Sequence, residues 1–139
     1  MLRPEITLEV LSQRGTGHLP ALIGVEVISI AADLLTGRLA VRPELLAPNG
    51  YLHAASVIAL ADTMAGYGTF ANLPEHARGF TTIELKSNFL GTARDGVIVC
   101  NATPAHLGRT TQLWDAVITD AASGRQIALF RCTQLLLTK

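Results

Sequence analysis

The 139-residue chain reads as an α+β domain in which a curved antiparallel β-sheet wraps one long central helix. Three observations predict this class. The run from Leu52 to Phe70 is rich in Ala and Leu, contains no Pro, and is apolar on nearly every side, which is the pattern of a helix buried all round. The four segments after it are strand-like and joined by short loops, which favours antiparallel hairpins. Hydrophobic residues make up 49% of the chain and charged residues 16%, so the chain can fill a core and does not have the composition of a disordered one.

Taken in order, Thr7 to Gln13 form a short leading helix that ends at Gly15 and Gly17. Residues 1–20 are an N-terminal helical extension of one domain spanning 1–139. Val25 to Ile30 and Leu39 to Arg42 read as strands around a turn at Thr36-Gly37. Leu45 to Gly50 is a loop marked by Pro48 and Asn49-Gly50. The long helix follows, about 27 Å from end to end at ~1.5 Å per residue. Its small residues Ala54, Ala55, Ala59, Ala65 and Gly66 let a sheet approach closely. Ala71 to Arg78 is a loop carrying Pro74. The remaining strands are Phe80 to Leu90, Val97 to Thr103, Thr110 to Thr119 and Ile127 to Leu137, the last reached through a turn at Ser123-Gly124.

Lys+Arg and Asp+Glu are equal at 11 each, so no electrostatic footprint for nucleic acid exists. No apolar run is long enough to span a bilayer, and the first residues lack the basic and apolar regions of a signal peptide. The expected location is the cytoplasm. Cys100 and Cys132 lie in alternating apolar segments and are read as buried, reduced thiols; no spacing suggests a metal site. The low charged fraction hints that some surface is covered in an oligomer.

The chemistry centres on Asp62, a carboxylate in the middle of an otherwise apolar helix. Such a group is costly unless paired, protonated or facing a cleft. It either bonds a neighbouring strand and fixes packing, or faces a cleft. The lack of a cation on the same helix favours the cleft. His53 stands at the helix start, where it either caps and packs or takes part in the site. The first helix amides, at Ala54 and Ala55, have no partner within the helix and suit developing negative charge, as an oxyanion hole does. Asp62 lies roughly 12 Å along the axis from Ala54 and on a different side. One helix therefore cannot present both to one carbonyl carbon, and joint action needs two subunits.

The run Asn49-Gly50-Tyr51-Leu52-His53-Ala54-Ala55-Ser56, continuing through Leu60-Ala61-Asp62-Thr63, resembles the hotdog-fold thioesterases of the phenylacetate-pathway (PaaI-like) type, a group that includes the Arthrobacter-type 4-hydroxybenzoyl-CoA thioesterases. Their signature places an acid nine residues after the motif His, as Asp62 follows His53 here. Gly79 to Leu90, His106-Leu107-Gly108-Arg109 and Thr119 to Ala128 resemble further family segments, and the resemblance spans roughly residues 21–137. It implies a hotdog fold, hydrolysis of an acyl-CoA without cofactor or metal, and a homo-oligomer with a dimer as catalytic unit, often a tetramer. Asp62 matches the catalytic acid, Ala54 the residue whose amide polarises the carbonyl, His53 the motif His, and Thr82 a hydroxyl near the acid. The family's Gly-Gly pair is Ala54-Ala55 here, which keeps the amides but narrows the approach. The Asn or Gln that some members carry six residues before the His falls on Ala47, and Asn49 is the available substitute.

Gly108 and Arg109 mark the His-x-Gly-Arg turn, and the Arg109 guanidinium suits a CoA phosphate or is simply solvated; Arg78 and Arg94 are weaker candidates. Met64, Tyr67, Phe70 and Phe89 either line an acyl pocket or belong to the core. Two competing functions remain open. A dehydratase or hydratase on the same fold lacks its usual His-Phe-Pro here, and a non-catalytic acyl-CoA-binding module would not need Asp62.

Overall fold

The computed structural model describes residues 2–138. Its elements, in chain order, are α1 (Leu8–Arg14), α2 (Leu19–Ile23), β1 (Val25–Ile30), β2 (Leu35–Ala40), α3 (Ala54–Ala71), β3 (Ala77–Phe89), β4 (Val97–Leu107), β5 (Thr111–Asp120) and β6 (Gln126–Thr138), with a 3-10 turn at Pro43–Leu45. The six strands form one antiparallel sheet in the order β1-β2-β4-β5-β6-β3. Helix α3 packs against β2, β3, β4, β5 and β6, so the sheet wraps it as the hotdog architecture requires. No described helix is long and apolar enough to cross a membrane.

Helix α3 forms where expected. Leu60, Ala61, Met64, Ala65 and Ala71 are fully buried on it, and burial of this apolar surface, at about 25 cal/mol per Å², is what holds helix and sheet together. The facing sheet is built by period-2 alternation. On β5, Gln112, Trp114, Ala116 and Ile118 point inward, and on β6, Ala128, Phe130, Cys132, Gln134 and Leu136 do so. Cys100 and Cys132 are buried free thiols.

The structure departs from the sequence expectation at several points. Strand β2 begins at Leu35, and the reversal lies at residues 31–34, where the Ala31 amide donates to the Leu34 carbonyl at 2.8 Å. Thr36-Gly37 is strand interior. Gly37 is there for packing: a Cβ on it would sit 2.4 Å from Met64 Sδ, so its missing side chain makes room for the methionine of α3. Helix α2 was not foreseen; Pro20 opens it and Gly24, at φ 88°, closes it. Strand β4 runs four residues beyond Thr103 to Leu107, because a register irregularity between Pro104 and His106 accommodates the proline.

Strand β3 does not pair with β4, its successor in sequence. It lies on the far edge beside β6, and α3 runs antiparallel to it, with Ala54 near Phe89 and Asp62 beside Thr82. This leaves a 13-residue strand with one unpaired edge, carrying exposed Ile83, Leu85 and Phe89. A long bare edge of this kind is a ready template for another strand.

Candidate active site

The start of α3 is anchored from below. The Leu45 carbonyl accepts the His53 amide at 3.0 Å and the Ser56 hydroxyl at 2.8 Å, while the Leu52 amide donates to the Ala93 carbonyl at 3.0 Å. Asn49 works inside the preceding turn: its Oδ1 accepts the Tyr51 amide at 3.1 Å, and Gly50 takes φ 83°. His53 is the N-cap. Its Nδ1 accepts the Ala55 amide at 2.9 Å, which puts the proton of the neutral ring on Nε2.

This cap alters the expected oxyanion site. Two amides, Ala54 and Ala55, were candidates, but the Ala55 N–H is already taken by the His53 ring. Among the described residues, nothing accepts the Ala54 N–H, and Ala54 is exposed. Ala54 also lines a cavity of about 310 Å³ with Tyr51, Val57, Phe89, Thr92 and Ile127. We expect His53→Ala to cost about 1 kcal/mol of stability through the lost cap, read as a lowered denaturation midpoint.

Asp62 lies one helical stretch further on. Its side chain is half-buried and turned toward β3, where the Thr82 hydroxyl sits 3.2 Å from Oδ1. None of the ion pairs among the described residues includes it. Burial, the larger influence, pushes its carboxyl above the ordinary carboxylate value, and the Thr82 hydrogen bond offsets part of that rise. A register irregularity between Thr82 and Glu84 absorbs Ile83, so Thr82 keeps its inward position beside the acid.

The candidates thus fall into three groups. Asp62 and Thr82 meet directly. Asn49, His53, Ala54 and Ala55 cluster at the helix tip, where Arg94 stacks over the Tyr51 ring at 4.3 Å. Gly108 and Arg109 are elsewhere, near the opposite end of α3, in the same cleft wall as its C-cap Asn72 and as Glu75 and His76. There the Arg109 carbonyl contacts His76 Nε2 at 2.8 Å. Gly108 is fixed by crowding, since a Cβ would lie 2.8 Å from the backbone carbonyl oxygen of Thr111. Of the four large side chains left open by sequence, Met64 and Tyr67 are core, Phe70 is partly buried under the Arg14 guanidinium, and Phe89 lines the tip cavity. Among the described residues no cluster of His, Cys, Asp and Glu could hold a metal ion.

Sequence reasoning missed Gln134. It is fully buried, its Oε1 lies 2.9 Å from the Thr82 hydroxyl, and it faces Thr82 directly across the β3–β6 ladder. The signal was available: Gln134 occupies an inward position in the alternation of β6, where a polar residue needs a buried partner.

A long helix wrapped by a six-stranded antiparallel sheet is the hotdog fold, and a half-buried carboxylate midway along that helix is its candidate reacting group. The profile of the thioesterase superfamily matches residues 49–126, and the chain belongs to that family. A 1,4-dihydroxy-2-naphthoyl-CoA hydrolase of Listeria monocytogenes is 29% identical over 111 residues, a match covering 80% of this chain and 89% of the relative. A thioesterase structure from Haemophilus influenzae superposes with a TM-score of 0.91 at 25% identity, covering 99% of this chain and 94% of that one. A hypothetical thioesterase from Streptococcus pneumoniae, solved with coenzyme A, superposes with a TM-score of 0.75 at 20% identity, covering 84% and 88%.

Proposed function

We propose that the protein hydrolyses an acyl-CoA to the free acid and CoA, with Asp62 as the reacting carboxylate and the Ala54 amide as the donor to the thioester oxygen. The observation that carries this reading is the pairing of Asp62 with a lone hydroxyl partner on an apolar helix, at a level of β3 that leaves it half-open. Asp62 either activates a water or attacks to form a mixed anhydride. The acyl group sits in the apolar cavity between Tyr51 and Phe89, a site suited to an aromatic acyl chain. The naphthoyl substrate in the Listeria relative's name, and coenzyme A on the Streptococcus neighbour, support this choice. The expected compartment is the cytoplasm, in keeping with two unpaired buried thiols.

The working unit is a dimer. Both site components lie along β3, with Ala54 near Phe89 and Asp62 near Thr82. Antiparallel pairing of β3 with its copy about a two-fold axis near Leu85 and Lys86 would set one protomer's helix tip opposite the other's Asp62. It would also cover the bare edge. Apolar Leu129, Leu135 and Leu137, exposed on β6, support further association to a tetramer. A monomer with full activity at assay concentration would defeat the shared-site reading.

A thiol-release assay across a panel of aromatic and aliphatic acyl-CoAs tests the function. We expect hydrolysis, with aryl-CoAs turned over fastest. Hydration of an enoyl-CoA without thiol release, or tight binding without turnover, would replace this reading with one of its competitors.

A further inference from the structure

We propose that Gln134 is a positioning residue for Asp62: through Thr82, its buried amide sets the direction of the hydroxyl proton and ties that direction to the protonation state of the carboxylate. The inference rests on the reading of Asp62 given above.

The Thr82 hydroxyl stands 3.2 Å from Asp62 Oδ1 and 2.9 Å from Gln134 Oε1, and on the other side Gln134 Nε2 lies 3.3 Å from Cys132 Sγ. One hydroxyl proton cannot serve two acceptors. Two arrangements satisfy every atom. With Asp62 ionised, Thr82 donates to the carboxylate and must accept from Gln134. The amide then turns its NH2 toward Thr82 and its oxygen toward Cys132, whose S–H donates. With Asp62 protonated, every bond reverses: Asp62 donates to Thr82, Thr82 to the amide oxygen, and the amide NH2 to the sulfur. Amide oxygen and nitrogen exchange places between the two states at almost no steric cost, because they are nearly the same size.

The surroundings leave few other groups to intervene. β3 presents neutral Thr82 to Asp62, and β6 presents neutral Gln134 and the Cys132 thiol. Burial, and after it the charge of Asp62, pushes that thiol up to about 12, so it remains a donor at neutral pH. Asp115 of β5 acts weakly on the same thiol, but it is ion-paired to Arg131 on the outer face of the sheet. Gln134 and Cys132 are both fully buried, so water does not replace either partner.

With the carboxylate ionised, the Gln134 amide polarises the Thr82 hydroxyl toward it. Gln134→Met keeps length and volume but removes both functions. We expect the rising limb of kcat/KM against pH to move to higher pH by about 0.5 units, and kcat to fall about five-fold, with the folded spectrum retained. In a Thr82→Val background the same change should have no further effect on the pH profile, because the connection is already cut. A folded Gln134→Met with wild-type kcat and pH profile would overturn the proposal. So would a shift of equal size in both backgrounds. If Gln134→Met does not fold, nuclear magnetic resonance on the wild type decides: the Gln134 side-chain amide should titrate with Asp62 and stay constant in Asp62→Asn. An amide indifferent to the Asp62 titration overturns the linkage. Full turnover in Asp62→Asn would instead defeat the catalytic reading, and the amide titration would still decide the hydrogen-bond linkage.

Discussion

Asp62→Asn should lower kcat/KM by about 10²–10⁴-fold, the range spanned by loss of a positioned acid or base, and should raise the thermal midpoint at neutral pH. The two effects have one cause. Burial raises the folded-state pKa of Asp62 above its unfolded value, so ionising it in the folded protein costs stability. Below the unfolded value the side chain is protonated in both states and that cost vanishes. As pH rises through the folded-state value the carboxylate becomes charged in a half-buried site, and the wild type loses stability that the neutral amide keeps. The advantage of Asp62→Asn should therefore be absent in acid and fully developed near pH 7. Thr82 can still donate to the amide oxygen, so the local geometry survives. In the wild type, kcat/KM should rise with pH with a midpoint above the ordinary aspartate range, because only the ionised form reacts. Near-wild-type turnover in Asp62→Asn, measured by thiol release, would remove the residue from the mechanism. A single turnover in heavy-oxygen water then separates the chemical routes: label in Asp62 marks the anhydride, and its absence marks an activated water.

The parts of this fold that were legible in the sequence are those in which one local signal has one physical meaning. The apolar, Pro-free run became α3 within two residues at its start and one at its end, because burial on all sides and high helix propensity agree there. Asp62 stood out for the same reason: a carboxylate has no cheap place inside such a helix. Gly37 was misread because glycine signals two things, a turn and a close approach, and only the position of Met64 decides between them. The edge position of β3 was not legible at all. Short loops suggested neighbouring hairpins, but β4 is drawn to β2 and β3 to β6 by contacts far apart in sequence. That placement is what puts Thr82, Phe89 and the bare edge together, so the candidate residues stood out singly in the sequence while their arrangement did not. The same limit hid Gln134, whose partner across the ladder is 52 residues away.

The largest effect on stability should come from Trp114→Ala, which we expect to cost about 3–5 kcal/mol, a large part of the ~5–15 kcal/mol that holds an ordinary domain together. Trp114 is fully buried, its Nε1 donates to Gln112 Oε1 at 3.0 Å, and its ring fills the space left by Gly68 of α3. A Cβ built on Gly68 would meet the ring carbons Cη2, Cζ3 and Cζ2 at 2.5, 2.6 and 2.9 Å. The ring cannot swing aside, being packed all round and held by its hydrogen bond. Gly68→Ala gains about 1 kcal/mol of helix propensity but meets an overpacking cost of about 1–3 kcal/mol, so in the wild type it should be neutral to destabilising. Once Trp114 is Ala, the obstacle is gone and the added methyl fills part of the cavity. Gly68→Ala should then stabilise the variant, and the sign of its effect should reverse between the two backgrounds. Denaturant midpoints of the four proteins in this cycle measure it directly. Equal effects of Gly68→Ala in both backgrounds would mean that the glycine is kept for a reason other than the indole it faces.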